Sequence, residues 1–341
     1  MPAERWLIPW LLLLALTTAG CWSGNTNEVV VYSALDQPFS EPVLKEFEAS
    51  HGISVQPVFD TEAQKTVGLT NRLLAEGENP LCDVFWNNEI LNTLRLERAG
   101  LLEPLSPKAA EHIPPHFRSP SGAWFGLAAR ARVLIVNTEL LGDESPPQSI
   151  RDLANPKYRG RAAIAKPLFG TTATHAAVLF SEWGEEEAQT FLLAVNANAE
   201  VLAGNKQVAA AVGGGQYLFG LTDTDDAIIE LDNGMPVRIV FPDQAAGEPG
   251  TLLIPNTVCR LKGSPHPEAA EKLVEYLLSP AVEETLAAAR SAQFPLGSRA
   301  KARSRAQPEE EVRWMEVDFP RAAAAWDSAA EFLRGEFAAA D

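Results

Sequence analysis

Between residues 28 and 87 the chain alternates short apolar runs with helical stretches, and this alternation limits the fold more than any other feature. Residues 28–33 (EVVVYS) are a β-branched run of the kind that lies buried on both faces of a parallel sheet. Residues 42–50 follow with Val43, Leu44 and Phe47 on one helical face, and His51-Gly52 ends the helix. A strand at 53–59, a helix at 66–76 and a strand at 82–86 (CDVFW) complete the series. Strand, helix, strand, helix, strand predicts a doubly wound α/β sheet. Such sheets bind ligands at the carboxyl ends of their strands. Here those ends carry Asp36, Asp60, Trp86, Asn88 and Glu89.

The rest of the chain adds three further polar strand ends. Residues 124–136 (WFGLAARARVLIV) read as a long strand carrying Arg130 and Arg132. After a strand at 161–165, the segment 167–174 (PLFGTTAT) opens a helix with Thr171 and Thr172 at its start. Free amides and the helix dipole make such a terminus a ready anion site, although plain Thr capping explains the same residues. A second helix is expected over 182–195, and Asn205 precedes a third at 206–212. An apolar strand at 217–221 then runs into Asp223, Asp225 and Asp226, three carboxylates in four positions. These repel one another, so they belong either in a solvated turn or against a cation. Amphipathic helices at 267–278 and 281–290 and a terminal helix at 319–337 close the chain. With no repeat and no flexible linker, two lobes would have to be joined by ordered strands.

Its 341 residues suffice for two domains, and a net charge of −17 excludes nucleic acid and an anionic lipid surface as partners. The apolar run at 6–16 is too short to span a membrane and suits a signal peptide. Thr18-Ala19-Gly20-Cys21 follows like a bacterial lipobox, so residues 1–21 are expected as signal peptide, Cys21 as lipidation site and 22–27 as tether. Cys82 and Cys259 remain; export permits their oxidation, and sequence leaves open whether they meet. No CxxC or His-rich cluster supports a structural zinc site.

Several segments in order (VVVYSALDQPFSEPVLKEFEASHGISV, DVFWNNE, ARARVLIVNTELL, AGNKQVAAAVGGGQYLFGL and GTLLIPNTVCRLKGSPHPEAAEKLVEYLLS) resemble the extracellular solute-binding proteins of ABC importers, ferric-iron-binding type. The resemblance implies a two-lobed periplasmic-binding-protein type II fold, each lobe a mostly parallel sheet flanked by helices. It implies lobe one from 28–130 plus 249–290 and lobe two from 131–248 plus 291–341. It implies a monomeric, membrane-anchored, non-enzymatic capture protein that serves a membrane permease and has no catalytic cofactor. The family's iron-ligating tyrosine pair falls where this chain has Asp225 and Asp226, and Asp36 and Glu89 complete the expected metal set. Carboxylates suit hard cations, including ferric iron, calcium, magnesium and manganese. The family's synergistic anion maps to Thr171, Thr172 and Asn205, with Arg130 and Asp223 nearby. The leading expectation is therefore a hard cation such as ferric iron with an anion, and Asn88 and Trp86 as further ligand contacts. A phosphorylated small molecule, or a polyamine stacked on Trp86, is the alternative. A carboxylate-dependent hydrolase is the alternative of another class.

Overall fold

A computed structural model of the chain describes residues 27–60 and 67–338. The expected signal peptide, Cys21 and most of the tether lie outside these residues. No helix among the described residues is long and apolar enough to cross a membrane.

The opening alternation folds as one parallel unit. β1 (Glu28–Ser33) pairs in parallel with both β2 (Ser54–Phe59) and β3 (Val84–Asn87). Helix α1 (Gln37–His51) buries Val43, Leu44 and Phe47 and stops at Gly52, whose left-handed backbone returns its amide to the Glu48 carbonyl. Helices α2 (Val67–Glu76) and α3 (Ile90–Arg98) cover the sheet's other face. After a two-residue β4 (Leu102–Glu103), the long β5 (Phe125–Asn137) is buried along its whole length.

The second lobe repeats the logic. It contains α4 (Thr138–Leu141), β6 (Ala162–Ala165), α5 (Gly170–Glu182), α6 (Glu185–Asn198), β7 (Glu200–Leu202), α7 (Asn205–Gly213), β8 (Phe219–Asp223), α8 (Thr224–Asp232) and β9 (Val237–Val240). β6 pairs in parallel with β7 and β8. The chain then returns through β10 (Leu253–Leu261) to α9 (Pro267–Leu277) and α10 (Pro280–Ala288) in lobe one, and ends in α11 (Phe319–Phe337).

Two strands join the lobes. Residues 125–131 of β5 pair with β10, whereas residues 132–137 pair with β8 and β9, so the sheet runs β2-β1-β3-β10-β5-β8-β6-β7. Both crossing strands are irregular at the boundary. β10 shifts register between Pro255 and Asn256, and Ala128 of β5 takes a left-handed φ of 46°. The buried Glu283 carboxylate holds this break by accepting the amides of Ala128 at 2.9 Å, Leu296 at 2.8 Å and Gly297 at 3.0 Å.

Three sequence expectations shift for physical reasons. The strand expected at 217–221 lies at Phe219–Asp223, because antiparallel pairing with β5 sets Asp223 opposite Arg132. The carboxylates that follow are not a solvated turn: Asp225 and Asp226 form the first turn of α8. Helix α6 starts at Glu185 rather than 182, since Gly184 at φ 84° breaks the backbone and three glutamates favour the new N-terminus. Helix α11 belongs to neither lobe alone. Phe319, Ala322 and Ala323 pack with Leu73 and Leu94 of lobe one, and Ala329, Leu333 and Phe337 pack with Phe180 and Phe191 of lobe two. Cys82 and Cys259 are free, buried thiols directed at backbone carbonyls, and burial pushes both thiols up.

Candidate functional site

The carboxyl ends of β1, β3, β6, β7 and β8 open into one cavity of about 440 Å³ between the lobes. Asp36 and Asn88 line it from lobe one, and Arg130 from the crossing strand. Lobe two contributes Lys166, Thr171, Thr172, Asn205, Lys206, Asp223, Asp225 and Asp226. The first turns of α5, α7 and α8 all face this space. Two glycines permit that convergence. Gly170 adopts φ 62° at the start of α5. A Cβ at Gly220 would stand 2.4 Å from Val208, so its absence lets α7 lie close on β8 and present Asn205.

One wall is a polar network around Arg132, whose Nε is buried without a partner. Arg132 and Asp223 are opposite each other on β5 and β8, and Arg132 Nη1 donates to Asp223 Oδ1 at 2.7 Å. The same guanidinium reaches Thr171 Oγ1, Thr172 Oγ1 and Asn205 Oδ1 at 3.1–3.2 Å. Thr171 donates to Asp223 Oδ2 at 2.6 Å, Thr172 donates to Asn205 Oδ1, and Asn205 Nδ2 donates to both Thr171 and Asp223. The two hydroxyls and the Asn205 amide are therefore already donating within the protein. An anion at this wall would be met by helix-terminal amides and lysines rather than by these side chains. Arg132 was not singled out from sequence. Its signal was the i, i+2 spacing of two arginines on one face of an otherwise apolar strand.

The acidic trio forms the adjoining wall. One oxygen from each of Asp223, Asp225 and Asp226 lies within 4.8 Å of the others. The protein itself supplies positive charge to two of them: Arg132 pairs with Asp223, and Arg130 Nη1 lies 2.9 Å from Asp225 and 3.7 Å from Asp223. Burial opposes ionisation of Asp223, but Arg132 and Arg130 hold it below the usual carboxylate range. Burial instead raises Asp225 to about 6, against the pull of Arg130 and with the push of Asp223. Burial, together with Asp225 and Asp223, puts Asp226 well above its ordinary value. Behind the wall, burial and Arg132 lower His175 to about 3, which keeps it neutral.

Two sequence expectations are corrected here. Glu89 is fully buried and caps α3, accepting Leu91 N at 2.7 Å and Asn92 N at 3.0 Å. It also accepts Thr174 Oγ1 of α5 at 2.7 Å, so its oxygens tie the lobes together below the cavity and offer no metal ligand there. Glu89→Ala is expected to lower folding stability by about 2 kcal/mol in urea unfolding. Trp86 lies wholly within the lobe-one core beside Val31 and Phe47, so its face is closed to any ligand. Sequence reasoning also passed over Lys166 and Lys206, which occupy a strand end and a helix start by the rule that found Asp36.

Comparison with known proteins agrees with this architecture. Residues 82–322 match the family of bacterial extracellular solute-binding proteins. An Fe(3+)-binding periplasmic protein of Serratia marcescens is 24% identical over 85% of this chain and 85% of its own length. A major ferric iron-binding protein of Neisseria meningitidis serogroup A is 26% identical, over 84% of this chain and 85% of its own. The crystal structure of an apo ferric ion-binding protein A from Pasteurella haemolytica superposes with a TM-score of 0.82 at 26% identity, covering 92% of this chain and 99% of that one. The match over most of the chain, on a two-lobed frame with a cleft at its strand ends, establishes that this chain belongs to the bacterial extracellular solute-binding protein family.

Proposed function

We propose that this protein is the ligand-capture subunit of an ABC importer, and that its cargo is a hard cation held together with an anion, ferric iron being the first candidate. The carrying observation is the Asp223–Asp225–Asp226 cluster, set in the wall of a cavity between two lobes. Asp36 lines the same cavity, and oxygen donors suit hard cations. The names of the relatives from Serratia and Neisseria point the same way. Lobe division near residues 130 and 250, lipid attachment at Cys21 and delivery to a membrane permease belong to this proposal.

A second reading, a phosphorylated small molecule, is favoured by one specific observation. Arg130 and Arg132 already face Asp225 and Asp223, while Lys166, Lys206 and the first turns of α5 and α7 also line the cavity. The polyamine reading loses its stacking partner with the burial of Trp86. The hydrolase reading loses a free acid–base pair, since Asp223 is held by Arg132, Thr171 and Asn205.

Calorimetric titration with ferric citrate, calcium, manganese, spermidine and inorganic phosphate separates these readings. Heat from ferric citrate or a bare cation supports the first, and phosphate alone supports the second; silence from all five removes the capture proposal. Lys206 is exposed in the first turn of α7, so Lys206→Glu will not disturb the core. It is expected to weaken binding of an anion-bearing ligand roughly tenfold and to leave a bare cation's affinity equal or higher.

A further inference from the structure

We infer that Arg130 is a built-in rival of the cargo, a tethered cation that latches the two walls of the ligand-free cleft and must leave Asp225 before another cation can settle there. Arg130 stands on β5, where that strand passes from one lobe to the other. Its Nη1 donates to Asp225 Oδ2 at 2.9 Å, at the start of α8 in lobe two. Its Nη2 donates to the Asn88 carbonyl at 2.7 Å, in the lobe-one loop after β3. One planar guanidinium therefore holds both walls at once, with the two-pronged reach that a lysine ammonium lacks. The acidic groups facing it are Asp225, Asp223, Asp36 and Asp226. Nε is buried without a partner, so the side chain is not locked on every side.

A cation seated among Asp223, Asp225 and Asp226 would stand against this guanidinium, and like charges at that range exclude each other. Displacing Arg130 from Asp225 also strains its bond to Asn88, so cation entry and release of the latch are one event. An anionic cargo requires no such displacement. The inference rests on the reading of the acidic trio as the cation end of the site, whereas the contacts of Arg130 with Asp225 and Asn88 stand apart from that reading.

Three variants test it. Ligand-free Arg130→Gln is expected to show a larger radius of gyration by small-angle scattering than the wild type, and to bind manganese chloride at least tenfold more tightly by calorimetry. Arg130→Lys keeps the charge without the fork; it should open like the Gln variant yet bind manganese no better than the wild type. Arg130→Gln/Asp225→Asn should recover part of the melting temperature lost in Arg130→Gln, because the stranded carboxylate is gone. An unchanged radius in both single variants overturns the latch. Manganese affinity that falls in Arg130→Gln overturns the rivalry and makes Arg130 a supporting residue. If ferric citrate and manganese bind neither protein, the cation reading fails and the rivalry with it, while the scattering comparison still decides the latch.

Discussion

Asp223→Asn is expected to remove about 3–5 kcal/mol of folding stability, the range for breaking one side of a buried ion pair. Asp223 and Arg132 are each 1% exposed, so water does not replace the lost partner. The asparagine oxygen still accepts one hydrogen bond, but it carries no charge, and arginine does not give up its proton. The damage then spreads along the network. Thr171 donates to Asp223, and Asn205 donates to both Thr171 and Asp223, so one substitution unseats the first residues of α5 and α7. Ligand binding should fall with stability. Urea unfolding checks the point: the midpoint should drop at constant slope. A midpoint equal to the wild type would mean that Asp225 takes over as the partner of Arg132, and that the network is less rigid than its geometry implies.

Asp226→Asn is expected to do the opposite to the ligand-free fold while weakening cation binding by roughly 10- to 100-fold, the loss of one charged ligand. Asp226 makes no ion pair among the described residues, whereas Asp223 and Asp225 each have an arginine. Both Asp225 and Asp226 titrate above their ordinary range in the folded protein. For a raised carboxyl the stabilising contribution is complete below about pH 4, where folded and unfolded forms are both protonated. It is lost as pH rises through the folded value, about 6 for Asp225 and above the ordinary range for Asp226. The asparagine variant cannot ionise at that position and so keeps the contribution. Its stability advantage over the wild type should be smallest at pH 4 and grow as pH rises toward 8. Taking the difference between the two proteins at each pH removes the opposing effect of Asp223, whose lowered value favours the fold as pH rises. A difference that stays flat from pH 4 to 8 would show that Asp226 is solvated well enough to ionise without cost.

By contrast, Asp225→Asn should not stabilise the empty cleft, because it strands Arg130, which donates to Asp225 at 2.9 Å. Two adjacent aspartates in one helical turn thus have opposite expected effects. Residue type and spacing do not distinguish them; the position of one arginine does.

What the sequence determined by itself was local and periodic. Apolar runs and helical faces marked the parallel units. The rule that ligands lie beyond strand carboxyl ends then placed Asp36, Asn88, Asp223, Asp225 and Asp226 around one cavity. The Gly-Thr-Thr start of α5 was legible for the same reason, because capping and helix-end chemistry are set by neighbours in the chain. The tertiary structure alone decided which charges neutralise one another. Arg132 meets Asp223 across 91 positions and Arg130 meets Asp225 across 95, through strand pairing and through the crossing of β5 between lobes. Glu89 and Trp86 sit beside Asn88 in sequence, yet one turns down to cap α3 and hold Thr174 and the other enters the core. A strand end offers only one or two side chains to the cleft, and packing selects them. Helix α11 shows the same limit: its amphipathic pattern predicted a helix, but only the shape of the two lobes laid it across both.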